Sequence, residues 1–135
     1  MYQIITSPAL VFPFVNEREP IVATAGMQAI GLENDGEIVA GVVFERINAC
    51  NAWVHIALED GWLHGSRQFL RACFAYPFKQ LKLKRLSGYV EAKNHAARTL
   101  DEHLGFKQEA VLHGAAHDGG DILIYVMHRE DCRYV

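Results

Sequence analysis

The chain has 135 residues, near the commonest size of a single domain and enough to bury a real core. Half of it is hydrophobic (50%) and 21% is charged, which excludes a disordered segment. The net charge of −3 has the wrong sign for general nucleic-acid binding.

In chain order, the first expected element is a strand from Tyr2 to Thr6. Pro8 to Val15 then reads as a short apolar turn or single helical turn capped by Ser7, because Pro13 and Pro20 disfavour a long helix. Met27–Glu33 and Glu37–Arg46 flank Asn34-Asp35-Gly36, the turn chemistry of a hairpin. The run Ile38, Val39, Ala40, Val42, Val43, Phe44 is too continuously apolar for a half-wet strand, so cover on both faces is expected. Ala52 to Leu58 is the next strand.

A loop from Glu59 to Gly65 leads to a helix beginning near Ser66. Phe69, Leu70, Cys73 and Phe74 give it helical spacing, and Pro77 ends or bends it. Leu83 to Val90 reads as a strand and Asn94 as a helix N-cap. Ala96, Leu100 and Leu104 form one apolar stripe, and Gly105 supplies the left-handed stop. A last antiparallel pair, Gln108–Leu112 and Ile122–Met127, turns at Asp118-Gly119-Gly120. No linker, repeat or low-complexity tract interrupts the chain, so residues 1–135 are expected to form a single domain. Strands alternating with helices around a mixed, mostly antiparallel sheet predict a three-layer α+β fold.

The remaining exclusions concern place and partners. The cysteines Cys50, Cys73 and Cys132 are odd in number and widely spaced, which favours a reducing compartment over a disulfide framework. No apolar run reaches the ~20 residues of a membrane span, and Met1 to Thr6 carries no basic stretch of a secretory signal. A cytoplasmic protein with no membrane and no nucleic-acid partner is expected. His113 and His117, with Asp118 and Asp121, would suit zinc only on a helix; Gly114, Gly119 and Gly120 argue for a loop, and no metal is expected. Lys79, Lys82, Lys84 and Arg85 alternate with leucines, as a solvated strand face does. Ser87, Cys73 and Cys132 lack a recognisable nucleophile setting.

The segment Lys84 to Phe106 carries the most specific signal. It runs Arg-Leu, then Val90, then Asn94-x-x-Ala97, then Leu104-Gly105-Phe106 and Glu109. That order resembles the second half of GNAT-type N-acetyltransferases, most closely the branch acting on ribosomal-protein N-termini and related amines. The element order fits the GNAT fold from its second strand onward, roughly residues 27 to 128. The family has two helices between its first two strands, where about twenty residues stand here, so that region looks abbreviated.

The resemblance implies acetyl-CoA as co-substrate and a small-molecule or peptide amine as acceptor. It implies that the fourth strand, at Ile56 and Leu58, turns its backbone to the thioester. The cofactor pyrophosphate would sit on the loop Gly61 to Arg67, which departs from the family's Gln/Arg-x-x-Gly-x-Gly/Ala signature. Gly65 and Ser66, with Leu63 beside them, would still supply amides there and Arg67 a charge; an ordinary helix start capped by Ser66 is the alternative. The matching Asn in the family touches the pantetheine arm, a role Asn94 can combine with capping.

Neither usual proton donor of the family is present: its tyrosine position holds Asp101 and its serine position Ala97. Tyr89 and Tyr125 stand in as candidates, though a strand tyrosine is more often a packed aromatic. His55 is the candidate base, since an imidazole with pKa near 6.5 suits proton removal at neutral pH; a buried, hydrogen-bonded core histidine is the alternative. Glu33 and Glu45 are the other carboxylates in range. A homodimer is expected, with Trp53, Phe12 and Phe14 as contact candidates. A non-catalytic acyl-CoA binder and a structural or regulatory protein remain open as alternatives.

Overall fold

The computed structural model describes residues 1–59 and 67–135. Seven strands form one sheet in the order β1-β2-β3-β4-β5-β7-β6. They are β1 (Tyr2–Ile5), β2 (Gln28–Asn34), β3 (Glu37–Glu45), β4 (Asn51–Leu58), β5 (Arg85–Glu91), β6 (Lys107–Leu112) and β7 (Ile122–His128). The helices are α1 (Pro8–Arg18), α2 (Arg67–Ala75) and α3 (His95–Leu104). All neighbouring strands are antiparallel except β4 and β5.

The β2–β3 hairpin turns on Asp35 and Gly36, both at positive φ (52° and 88°), as a two-residue loop of this kind requires. The β3 strand alternates its side chains between two cores. Val42 and Phe44 pack with Phe69, Cys73 and Phe74 of α2, while Val43 packs with Val11, Phe14 and Val15 of α1. The cover expected on both of its faces is present.

α1 is longer than its sequence suggests. It runs through Pro13 for 11 residues, and Ser7 stands at its N-cap without a side-chain cap bond. The helix lies directly on the backbone of β2 and β3. A Cβ added at Gly31 would meet Val11 Cγ2 at 2.6 Å, and one at Gly41 would meet Val11 Cγ1 and Val15 Cγ2 at 2.9 Å. Burying Val11, Phe14 and Val15 at roughly 1.5–3 kcal/mol each outweighs the ~3 kcal/mol cost of an interior proline. Phe14, expected at a subunit contact, is spent in this packing.

Pro77 bends rather than ends its helix: α2 passes into a wide turn at Tyr76–Gln80. α3 begins and ends as its sequence requires. Asn94 accepts from the Ala97 N–H at 3.1 Å, and Gly105 closes the helix at φ 112°. Leu104 and Phe106 pack it on the α2 side of the sheet. One helix, not two, separates β1 from β2, so the abbreviated region is real.

Candidate active site

The parallel pair β4–β5 holds register only at Asn51–Arg85, Ala52–Leu86 and Trp53–Ser87. Beyond those positions the strands diverge and a wedge opens through the sheet. Backbone direction inside it follows from the β3 side. Glu59 donates to the Val39 carbonyl, in register with the β3–β4 ladder. Bonding alternates along an antiparallel pair, so Ala57 and His55 turn their amides to β3, while Val54, Ile56 and Leu58 turn theirs toward β5. The Val54 carbonyl confirms the direction, lying 3.7 Å from where a Cβ on Gly88 would stand. Past Trp53 no β5 residue is in register to receive these groups.

Two adjoining hollows make up the wedge. The inner one is lined by Glu19, Ile56, Gly88, Tyr89, Asp101 and Phe106, among others. The outer one, of about 450 Å³, continues past Leu58 and Asn94 to Glu59. α1 thus delivers Glu19 from one side of the sheet, and α3 delivers Asn94, Ala97 and Asp101 from the other. Ile56, Leu58 and Asn94 line one hollow. Arg67 is exposed at the start of α2, away from these hollows. Leu63, Gly65 and Ser66 lie outside the described residues, as does most of the loop assigned to the pyrophosphate.

His55 is not on the wall. It is 1% exposed and lies behind the wedge on the α1 side. Its Nε2 bonds to buried Glu45, and its Nδ1 faces Glu19 Oε1 at 3.7 Å without a hydrogen bond. Burial works against the imidazolium, but the carboxylates of Glu19 and Glu45 outweigh it and hold the pKa above the ordinary 6.5. Glu19, with its side chain 28% exposed, is the member of this line that reaches the wedge. Tyr89 stands at the other edge of the imidazole, ring centroids 5.4 Å apart.

Tyr125 does not serve the wedge. It is fully buried on β7, and its hydroxyl donates to Glu102 at 2.6 Å. Glu33 lies on β2, paired to β1, at the far side of the sheet. The segment between β6 and β7 is the loop its glycines suggested, and His113 and Asp121 pair across it, 3.4 Å apart.

Sequence reasoning passed over two residues. Glu19 is the residue before Pro20, where a helix must stop; its extended backbone (φ −141°, ψ 92°) is set by that junction. Asp101 was noted only as a missing tyrosine. Its carboxyl sits on the α3 face that packs on the sheet, four residues from Ala97. Burial first, then the neighbouring charges of Glu19 and Glu102, push its pKa up from 3.8 to about 7.

No protein-family model matches the sequence, and no curated protein is similar to it in sequence. Solved structures are similar in shape. A spermidine N-acetyltransferase from Vibrio cholerae superposes with TM-score 0.77 at 14% identity, over 99% of this chain and 96% of that one. The dodecameric structure of spermidine N-acetyltransferase from the same organism gives 0.74 at 16%, over 96% and 94%. A third structure, described only as an acetyltransferase, gives 0.70 at 16%, over 96% and 84%. This chain has the GNAT fold. At these identities the likeness is one of architecture, and the chemistry must come from the wedge itself.

Proposed function

We propose that this protein is an acetyl-CoA-dependent N-acetyltransferase that moves an acetyl group to a primary amine by direct attack. The observation that carries the reading is the β4–β5 wedge, along which Ile56 and Leu58 turn their backbone toward β5 with no β5 residue in register. A polarised thioester carbonyl needs such a donor fixed in place before the reaction, since its stabilising effect grows as charge develops on oxygen. The room for a thioester lies in the outer hollow of about 450 Å³ beside Ile56 and Leu58, and Asn94 on its lining is where the pantetheine arm would enter. The walls therefore fit the co-substrate.

Proton removal falls to Glu19 rather than directly to His55. Glu19 faces the wedge, and the imidazole between Glu19 and Glu45 steadies its carboxylate. An acceptor entering from the α1 side as an ammonium meets this carboxylate and gives up its proton there. Two acceptors follow from what the fold and the α3 segment resemble: a polyamine such as spermidine, and a protein N-terminus of the ribosomal-protein kind. A second copy pairing along β6, an edge strand with most of its residues exposed, would give a homodimer.

The test begins with acetyl-CoA alone. At about 100 times its dissociation constant it should add ~2.7 kcal/mol of stability, a rise of several degrees in melting temperature. Free-CoA release is then followed with spermidine and with peptides bearing free N-termini. Glu19→Gln should keep the thermal shift and lose about 10²-fold in turnover. A thermal shift without CoA release from any amine would make the protein a non-catalytic acyl-CoA binder. No shift at millimolar acetyl-CoA would overturn the reading.

A further inference from the structure

Among the described residues, one buried side-chain polar atom has no hydrogen-bond partner: the Nδ1 of His55. The ring is 1% exposed, and its other nitrogen, Nε2, bonds to Glu45 Oε2. A buried polar atom left without a partner costs stability, so its neighbourhood calls for an explanation. The atom it faces is Glu19 Oε1, 3.7 Å away, too long for a hydrogen bond but one side-chain rotation short of it. Glu19 caps the end of α1, and Pro20 holds its backbone extended, so its side-chain torsions decide where the carboxylate points. That carboxylate lines both hollows of the wedge. It has two groups to serve, the imidazole behind it and an acceptor ammonium in front.

We propose that His55 is a positioning residue: its Nδ1–H takes one oxygen of Glu19 and so aims the other at the acceptor nitrogen. Glu45 keeps the ring in the form that has this hydrogen to give. The inference rests on the reading of Glu19 as the base and adds what aims it. It also brings Glu45 into the site, although Glu45 lines neither hollow.

The hydrogen inventory of an imidazole carries the argument. With Nε2 on a carboxylate, a neutral ring keeps its one hydrogen there and turns a lone pair toward Glu19, which repels it. Only the imidazolium has a second hydrogen, at Nδ1. Carboxylates on both sides of the ring favour that form and outweigh the burial that opposes it. The surrounding groups act on the two carboxylates or on the ring edge. Arg46 Nε and Thr24 Oγ1 stand 3.4 Å and 3.5 Å from Glu45 Oε1, on the side away from the ring bond. Tyr89 of β5 meets the ring edge-on at 5.4 Å, and the charge of Asp101 on α3 is felt at Glu19. None of them partners Nδ1. As pH rises through the folded pKa of His55, which lies above 6.5, the Nδ1 hydrogen leaves and Glu19 loses its anchor. Turnover should fall there while acetyl-CoA binding holds.

The experiment separates the two ring nitrogens. In His55→Asn the amide nitrogen stands where Nδ1 stood, since both are bonded to Cγ; in His55→Gln it stands near the place of Nε2. Assays use acetyl-CoA and the first amine from the panel that releases CoA. His55→Gln should keep the acetyl-CoA thermal shift and lose about 10²-fold in kcat, the cost of a base misaimed by about 1 Å. His55→Asn should recover part of that loss and show no alkaline limb in kcat. Glu45→Gln should move the limb to lower pH. Nitrogen NMR of the wild-type protein without substrate should find both ring nitrogens protonated at pH 6, with the Nδ1 resonance displaced in Glu19→Gln. Equal rates and equal pH profiles in the two His55 variants would make the ring a packing residue. An Nδ1 that carries no hydrogen at pH 6 would overturn the assignment, and so would a limb unmoved in Glu45→Gln. Should the His55 variants fail to fold, those last two measurements decide. A wild-type protein that releases no CoA with any amine overturns the acetyl-transfer reading instead, and the NMR comparison still decides whether His55 anchors Glu19.

Discussion

The half-buried acid at Asp101 has a consequence for stability that needs no substrate. Its pKa rises from 3.8 to about 7 on folding. Between those values the native state holds a proton that the unfolded chain has released. Stability therefore falls as pH rises through this window, the reverse of a salt-bridged aspartate. At about 1.4 kcal/mol per pH unit, the full displacement is worth about 4 kcal/mol against the folded state above pH 8. Integration over the two titrations puts about 2–3 kcal/mol of that between pH 5 and pH 8. Asp101→Asn keeps the shape of the side chain and cannot ionise, so the difference between the two proteins isolates this one group. Urea unfolding at pH 5, 6, 7 and 8 should show the Asn variant gaining on the parent by that amount. A gap that stays flat with pH would refute the claim that folding raises this pKa. A gap that runs the other way would mean that Asp101 is ionised and paired.

Three further outcomes follow. Gly31→Ala places a Cβ 2.6 Å from Val11 Cγ2, so α1 must lift from the sheet at a cost of about 1–3 kcal/mol; unfolding within 0.5 kcal/mol of the parent would show that the helix has room. His55 titrates in the opposite sense to Asp101: the stability it contributes is complete below its ordinary 6.5 and is lost as pH rises through its higher folded value. The advantage of the parent over His55→Gln should accordingly shrink from acid to alkaline pH, and an advantage that grows would mark a neutral buried imidazole. Sedimentation at micromolar concentration should give the mass of a pair, and a single species at 15.2 kDa would sink the homodimer.

Legibility in the sequence tracked how local each signal was. The Asn34-Asp35-Gly36 turn, the Asn94 cap and the Gly105 stop are set by conformational demands within a few residues, and all three stand where they were placed. α1 was under-read because its stability is not local. Pro13 argues against it locally, while Gly31 and Gly41, far downstream in sequence, supply the flat backbone on which it rests. Pro77 was ambiguous for the related reason that a proline can be absorbed by a widened turn when Phe78 is buried beyond it. Strand alternation puts His55 on the face opposite Val54 and Ile56. Periodicity could not say that α1 would close over that face and leave Glu19, not the imidazole, at the opening.

The same distinction explains the two carboxyls. A sequence shows that an aspartate interrupts the packing face of a helix, but not whether the interruption meets water, an arginine or a gap between strands. Here it meets a gap, because β4 and β5 part after three paired positions and α3 crosses the parting. The divergence also leaves the amides of Ile56 and Leu58 with no β5 residue in register. One geometric event, the early end of a parallel ladder, thus turns the amides of Ile56 and Leu58 to the wedge and brings the half-buried Asp101 to its lining. Neither arrangement is favoured on its own account: an amide with no strand partner and a carboxyl partly out of water each favour closure of the wedge or entry of water. A thioester carbonyl and its sulfur would relieve both together. Acetyl-CoA should accordingly stabilise the parent more than Asp101→Leu, in which the acid has already been replaced by an apolar side chain.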